Sequence, residues 1–196
     1  GNGYLGGDFF FPKNQKADCI SYIEMIDNPE KQVVLRHLAV SGQIIASGGS
    51  TCNCLIHPSV RQAVHNRYAK LIESVLQWCA EHIDDEFKTE LKKEYESISP
   101  QKSPKADFEM VYSAARKLVE QKEIKILVMN GKNSISSAEY SSGSNIVIGG
   151  NTLGRGVTFP SLHTIYYTRT SKKPQADTMW QHSRMFGYDR DPGLMM

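Results

Sequence analysis

The 196-residue sequence has few cysteines, no long apolar run and little net charge. Cys19, Cys52, Cys54 and Cys79 form no C-x-x-C pair and are too sparse for a disulfide scaffold. They are expected as reduced core thiols of a cytoplasmic chain. No apolar stretch approaches the roughly 20 residues that span a bilayer, so no membrane partner is expected. No charged stretch leading into an apolar one marks a secretory signal, and Gly1-Asn2-Gly3 reads as loop. His37, His65, His82, His163 and His182 show no H-x-x-x-H spacing, so no resident metal is expected. A phosphate-cradling loop is missing too. Gly149-x-x-x-x-Gly154 is followed by Arg155 and Gly156 where Lys and Ser or Thr are required. Asn130-Gly131-Lys132 lacks the upstream glycine.

What is present suits a soluble globular domain. Hydrophobic residues make up 40% and charged residues 22%, with a net charge of +2, and the length is enough to bury a core. Residues 1–29 read as a loop-rich lead-in. Helical spacing covers 30–46, with Asn28 as cap, Pro29 at the first helical position and Gly48-Gly49 as stop. A short strand, Cys52–His57, ends at Pro58. A helix over about 60–79 keeps one apolar face. A charged helix over 84–95 reads as solvent-facing, 97–105 as an exposed loop, and 108–121 as an amphipathic helix. Apolar strands follow at 125–129, 145–148 and 162–168, and Asp177 caps a last helix over 178–186. Little room is left for a helix between Lys132 and Ser144.

Apolar strands alternating with helices predict an α/β fold, a parallel sheet covered on both faces. Function in such sheets collects at the C-terminal strand ends. Here these carry His57-Pro58-Ser59, Asn130-Gly131, Gly149-Gly150-Asn151-Thr152 and Arg169-Thr170-Ser171. Gln181 and Arg184, three apart, share one face of the last helix, and Asp189 and Arg190 follow. An arginine there can reach a γ-phosphate held by another domain, because its planar fork stays charged. The same features also suit a tight glycine loop and a solvated helix. Charge bears on the choice. Residues 151–190 hold six Lys or Arg against two Asp, a local +4 against +2 for the whole chain. That is the footprint of nucleotide or nucleic-acid contact.

The run Ile148-Gly149-Gly150-Asn151-Thr152-Leu153-Gly154-Arg155-Gly156-Val157-Thr158, then Asp177-Thr178-Met179-Trp180-Gln181-His182-Ser183-Arg184-Met185-Phe186-Gly187-Tyr188, resembles motifs V and VI of superfamily 2 helicases. It is closer to the Z1 domain of bacterial and phage-defence-associated proteins labelled as endonucleases. Leu55-Ile56-His57-Pro58-Ser59 is similar to that family's I-H-x-S segment. Ser183 stands where the family has Gly, and Asp189 displaces the later arginine by one position.

The resemblance implies a three-layer RecA-like sheet of the P-loop NTPase type, the second lobe of a helicase-like motor. This lobe would cover 30–196, with a helical insertion at about 84–121 and its C-terminal end truncated. It implies catalytic roles for Arg184, Arg190 and Gln181 and nucleotide contacts for Gly150, Asn151, Arg155, Gly156 and Thr158. It places His57, Ser59, Thr152 and Arg169 on the nucleic-acid backbone. ATP and Mg²⁺ would be held mainly by an N-terminal P-loop lobe of the same parent protein, with nothing tightly bound to this chain. The other partner would be nucleic acid, DNA in the first instance. The parent is expected to be an ATP-dependent helicase-like hydrolase or endonuclease, and this chain alone is expected to be inactive as an ATPase. The alternative is a non-catalytic RecA-like interaction module of a larger defence-related protein. Glu86-x-Lys88 and Glu123-x-Lys125 match the small Glu-x-Lys pattern of metal-dependent nucleases, a pattern common by chance.

Overall fold

Two seven-residue strands, each with three consecutive apolar residues and turn residues at its flanks, form the centre of the molecule. In a computed structural model, residues 26–58, 61–129, 135–150, 159–168 and 191–196 are described. The order is α1 (Pro29–Ala46), β1 (Thr51–His57), α2 (Gln62–Glu81), α3 (Glu86–Ser97), α4 (Phe108–Glu120), β2 (Ile124–Met129), a single turn α5 (Ser137–Tyr140), β3 (Gly143–Gly149) and β4 (Leu162–Tyr167). A 3-10 turn, Pro192–Leu194, follows. The four strands form one all-parallel sheet in the order β2-β3-β1-β4.

The central strands β1 and β3 are buried along almost their whole length, as a parallel sheet covered on both faces requires. Alternate residues point to opposite layers. Cys54, Ile56, Ile146 and Ile148 pack with α1, α2, α3 and α4. Leu55 and Val147 pack on the other side with Met129, Tyr140, Phe159 and Met195. The connection from β1 to β2 runs through α2–α4 on the first face. The connection from β2 back to β3 runs through α5 on the second. Opposite directions on opposite faces are what a single crossover hand produces.

Local chemistry explains the helix limits. Asn28 Oδ1 accepts the Lys31 amide at 3.0 Å, Pro29 occupies the first turn, and Gly48 leaves α1 at φ +84°. The charged helix α3 is half-buried rather than solvent-facing, because Phe87 and Leu91, one turn apart, are fully buried against α1 and α4. The stretch before β3 does hold a helical turn, closed by a capping box between Ser136 and Glu139. Among the described cysteines, Cys54 and Cys79 are buried thiols. No described helix is long and apolar enough to cross a membrane.

Two buried polar groups bind the ends of this domain together. The Asp191 carboxylate accepts the amides of Gln101, Lys102 and Gly193 at 2.8–3.0 Å. Arg36 donates to Ser97 Oγ and to the carbonyls of Leu194 and Met195. Met196 then pairs with β4, donating to the His163 carbonyl and accepting from the Ile165 amide, both at 2.8 Å. Gly193 approaches Ser99 so closely that an added Cβ would lie 1.6 Å from the Ser99 carbonyl oxygen. A third polar cluster sits below α1. His37 Nε2 contacts Ser144 Oγ at 2.8 Å, Ser144 contacts Ser41 at 3.1 Å, and His37 Nδ1 lies 3.7 Å from Cys52 Sγ. Burial, with His163 adding a smaller effect, pushes the His37 pKa down to about 3.

Gly193→Ala should therefore lower stability by about 1–3 kcal/mol, read as an earlier urea midpoint, since backbone rather than a flexible side chain must give way. His37 supplies a second test. Its folded pKa of about 3 lies below the ordinary histidine value of about 6.5, so its contribution is complete above the ordinary value and is lost as pH falls toward 3. Between about pH 6.5 and pH 5, stability should drop with a slope approaching 1.4 kcal/mol per pH unit. His37→Gln should flatten that part of the urea-midpoint profile; an unchanged slope would show that His37 is not its source.

Candidate functional site

The chain leaves β1 through Pro58 toward α2 on one face. After β3 the described chain resumes at Phe159, which packs on the opposite face. β1 and β3 are neighbours, with Ile56 level with Ile148. Adjacent parallel strands whose continuations go to opposite faces open a crevice at their C-terminal ends, the usual ligand position in such sheets. By that rule the candidate position lies between His57-Pro58 and Gly149-Gly150. The two sequence segments singled out for phosphate contact, separated by about ninety positions, thus begin side by side.

The described residues on the β4 side of the crevice form a closed set. Tyr167 is level with His57 across the β1/β4 pair, and their rings stack at 5.0 Å with 27° between planes. The Thr168 amide donates to the His57 carbonyl at 3.2 Å. Tyr68 of α2 donates to Thr168 Oγ1 at 3.3 Å, and that hydroxyl donates to the Pro58 carbonyl at 3.4 Å. Tyr166 donates to Glu30 in the first turn of α1 at 3.2 Å. Burial and then the Glu30 charge push the Tyr166 phenol up, which keeps it a neutral donor. This relay fixes where β1 and β4 end, and hence where Pro58 leaves the sheet.

His57 is 1% exposed. Its ring is built into the strand end beside Tyr167 and is not displayed to solvent. Gly150 is buried at the exit of β3. Ser59, Asn151, Thr152, Arg155, Gly156, Thr158, Arg169, Gln181, Arg184 and Arg190 lie outside the described residues, as do the lead-in 1–25 and the expected helix 178–186. Neither Glu-x-Lys triplet is at this edge. Lys88 pairs with Glu109 at 2.8 Å over the ring of Tyr112. Glu123 and Lys125 lie at the start of β2, at the opposite end of the sheet. Among the described residues no three His, Cys, Asp or Glu converge as a metal site. Trp78 stacks on His82 at 5.0 Å, with the Lys31 ammonium 3.6 Å above its ring, a packing role.

Sequence reasoning missed Tyr68, Thr168 and Tyr167 as supports of this edge. Tyr68 sits in the apolar stripe of α2, so its hydroxyl carried no separate signal.

The family described as Z1 domain matches residues 35–192. No curated protein and no solved structure matches the chain.

Because the His57 ring is a packing element, His57→Ala should act on stability as well as on any ligand. A loss of about 1–3 kcal/mol is expected in a denaturant melt. A variant as stable as the parent would show that the stack with Tyr167 contributes little.

Proposed function

The chain belongs to the Z1 domain family, and from that premise we propose that it is the second RecA-like lobe of an ATP-dependent DNA-processing enzyme. Residues 30–196 make up the lobe, with the helices of 84–121 as an insertion. One observation carries the reading. The neighbouring strands β1 and β3 end side by side, where the I-H-x-S-like segment and the Gly-Gly-Asn segment both start, the usual ligand position in such a sheet.

In this reading Gly150, Asn151, Arg155, Gly156 and Thr158 lie against a nucleotide whose phosphates sit in a P-loop lobe of the same parent protein. Arg184 faces the γ-phosphate. Its guanidinium stays charged at any working pH and offers a fork of donors to phosphoryl oxygens. Gln181, three residues earlier on the same face, supplies an amide beside it, and Arg190 adds a second cation. Ser59, Thr152 and Arg169 contact the nucleic-acid backbone, with His57 holding the strand end from which Ser59 departs. ATP with Mg²⁺, held mainly by the P-loop lobe, supplies the free energy of hydrolysis when bound. The +4 of residues 151–190 supports an anionic partner at this edge. The sequence has neither a P-loop nor a strand-borne Asp-Glu pair, so this lobe does not turn over ATP by itself.

Arg184→Ala in the full-length parent should reduce ATPase by on the order of 10³-fold, with an unchanged thermal midpoint. Wild-type turnover in the variant would instead support a non-catalytic interaction module and sink the motor assignment.

A further inference from the structure

We propose that the outward face of α2 is a rail for the phosphates of single-stranded nucleic acid, continuing the path that leaves the β1/β3 crevice. This rests on the nucleic-acid contact proposed above and names where the strand runs next.

The helix starts at the crevice. It begins at Gln62, shortly after His57-Pro58, and descends across the sheet from the C-terminal edge. Its inner face is fixed by Ile72 and Cys79, both fully buried. The outer face of its first three turns carries a shallow groove of about 370 Å³ lined by Ala63, Asn66, Arg67, Lys70, Leu71 and Ser74. These positions recur at helical spacing, so the groove runs along the helix axis.

Two exposed cations, Arg67 and Lys70, stand one turn apart on this face. The ion pairs among the described residues are Lys88–Glu109, Lys93–Glu90, Arg116–Asp84 and Arg116–Glu120. All lie on or between α3 and α4 or the turn before them. Arg67 and Lys70 are exposed and belong to none of these pairs. Glu73, the one acid in residues 61–74, closes no ion pair with either. From Ala63 to Ser74 the lined face rises about 16 Å at 1.5 Å per residue, long enough to follow a short run of neighbouring phosphates.

The groove also offers more than charge. Asn66 presents an amide. Ser74 Oγ donates to the Lys70 carbonyl at 2.9 Å, which keeps the hydroxyl oxygen as an acceptor. Leu71 is 37% exposed, an apolar contact beside the cations. Phosphate-binding cations with an amide and an apolar spot between them suit a sugar-phosphate backbone rather than a compact anion.

The probe is a fluorescein-labelled single-stranded oligothymidylate, titrated with the full chain at rising salt and read by anisotropy. Arg67→Glu/Lys70→Glu should weaken binding at least tenfold. Arg67→Gln/Lys70→Gln, which removes charge and keeps helix propensity, should weaken it less and make the salt slope shallower by about 1.4 for two lost phosphate contacts. Lys92→Glu on α3 should leave both unchanged. If wild type binds and the Gln variant keeps its affinity and slope, the rail is wrong and the crevice contact survives. If wild type shows no binding, the nucleic-acid contact itself fails and the rail falls with it. An unchanged circular-dichroism melt confirms that the variants are folded.

Discussion

One buried amide pair holds the sheet in register. Asn53 and Asn145 are register partners on the two central strands, and Asn145 Nδ2 donates to Asn53 Oδ1 at 3.0 Å. Asn53 Nδ2 donates in turn to the carbonyls of Tyr140 and Pro160, which ties down the turns that lead into β3 and β4. A slip by one residue would move each amide to the opposite, apolar face and strand its donors there. The register runs unbroken from this pair to Ile56 and Ile148. The level at which His57 and Gly149-Gly150 reach the crevice is therefore set at the far end of the same two strands.

The helical layer divides its work. One ion pair, Lys88–Glu109, joins α3 to α4, and exposed pairs of this kind contribute little to stability. Their anchoring is apolar, through Phe87, Leu91, Tyr112 and Leu118. α2 is different. It touches the crevice through the Tyr68 hydroxyl and keeps Arg67 and Lys70 available on its other face. One rigid element thus joins the strand ends to a basic surface.

The sequence made some of this legible because local and global signals agreed. The cap at Asn28, the proline after it and the stop at Gly48 delimit α1 because each satisfies a specific backbone need. The strands were legible from apolar runs too short for helices. The inner face of α3 was not, because Phe87 and Leu91 are a narrow stripe in a field of charge, and only the position of α1 and α4 makes it a core face. The turn Ser137–Tyr140 opens on an S-x-x-E capping box, Ser136 to Glu139, which the short space between Lys132 and Ser144 hid from a reading based on length. At the candidate site, sequence supplied the two segments but not their adjacency, which comes from strand order. Nor could it show that His57 is buried, since a histidine at a strand end suits display or packing equally.

The buried carboxylate of Asp191 has a bearing on the order of events during synthesis. Its partners at Gln101 and Lys102 leave the ribosome about ninety residues earlier, and Arg36 waits longer still for the carbonyl of Leu194, 158 positions downstream. A nascent chain carrying α1 to α4 has a complete apolar helical layer, but the amides of Gln101 and Lys102 and the buried guanidinium of Arg36 still lack their final acceptors. Such late, long-range closure slows the final folding step and prolongs exposure of the unfinished sheet. Closure of the domain therefore waits on the synthesis of Asp191 and Leu194, whatever the helix propensity of what precedes them.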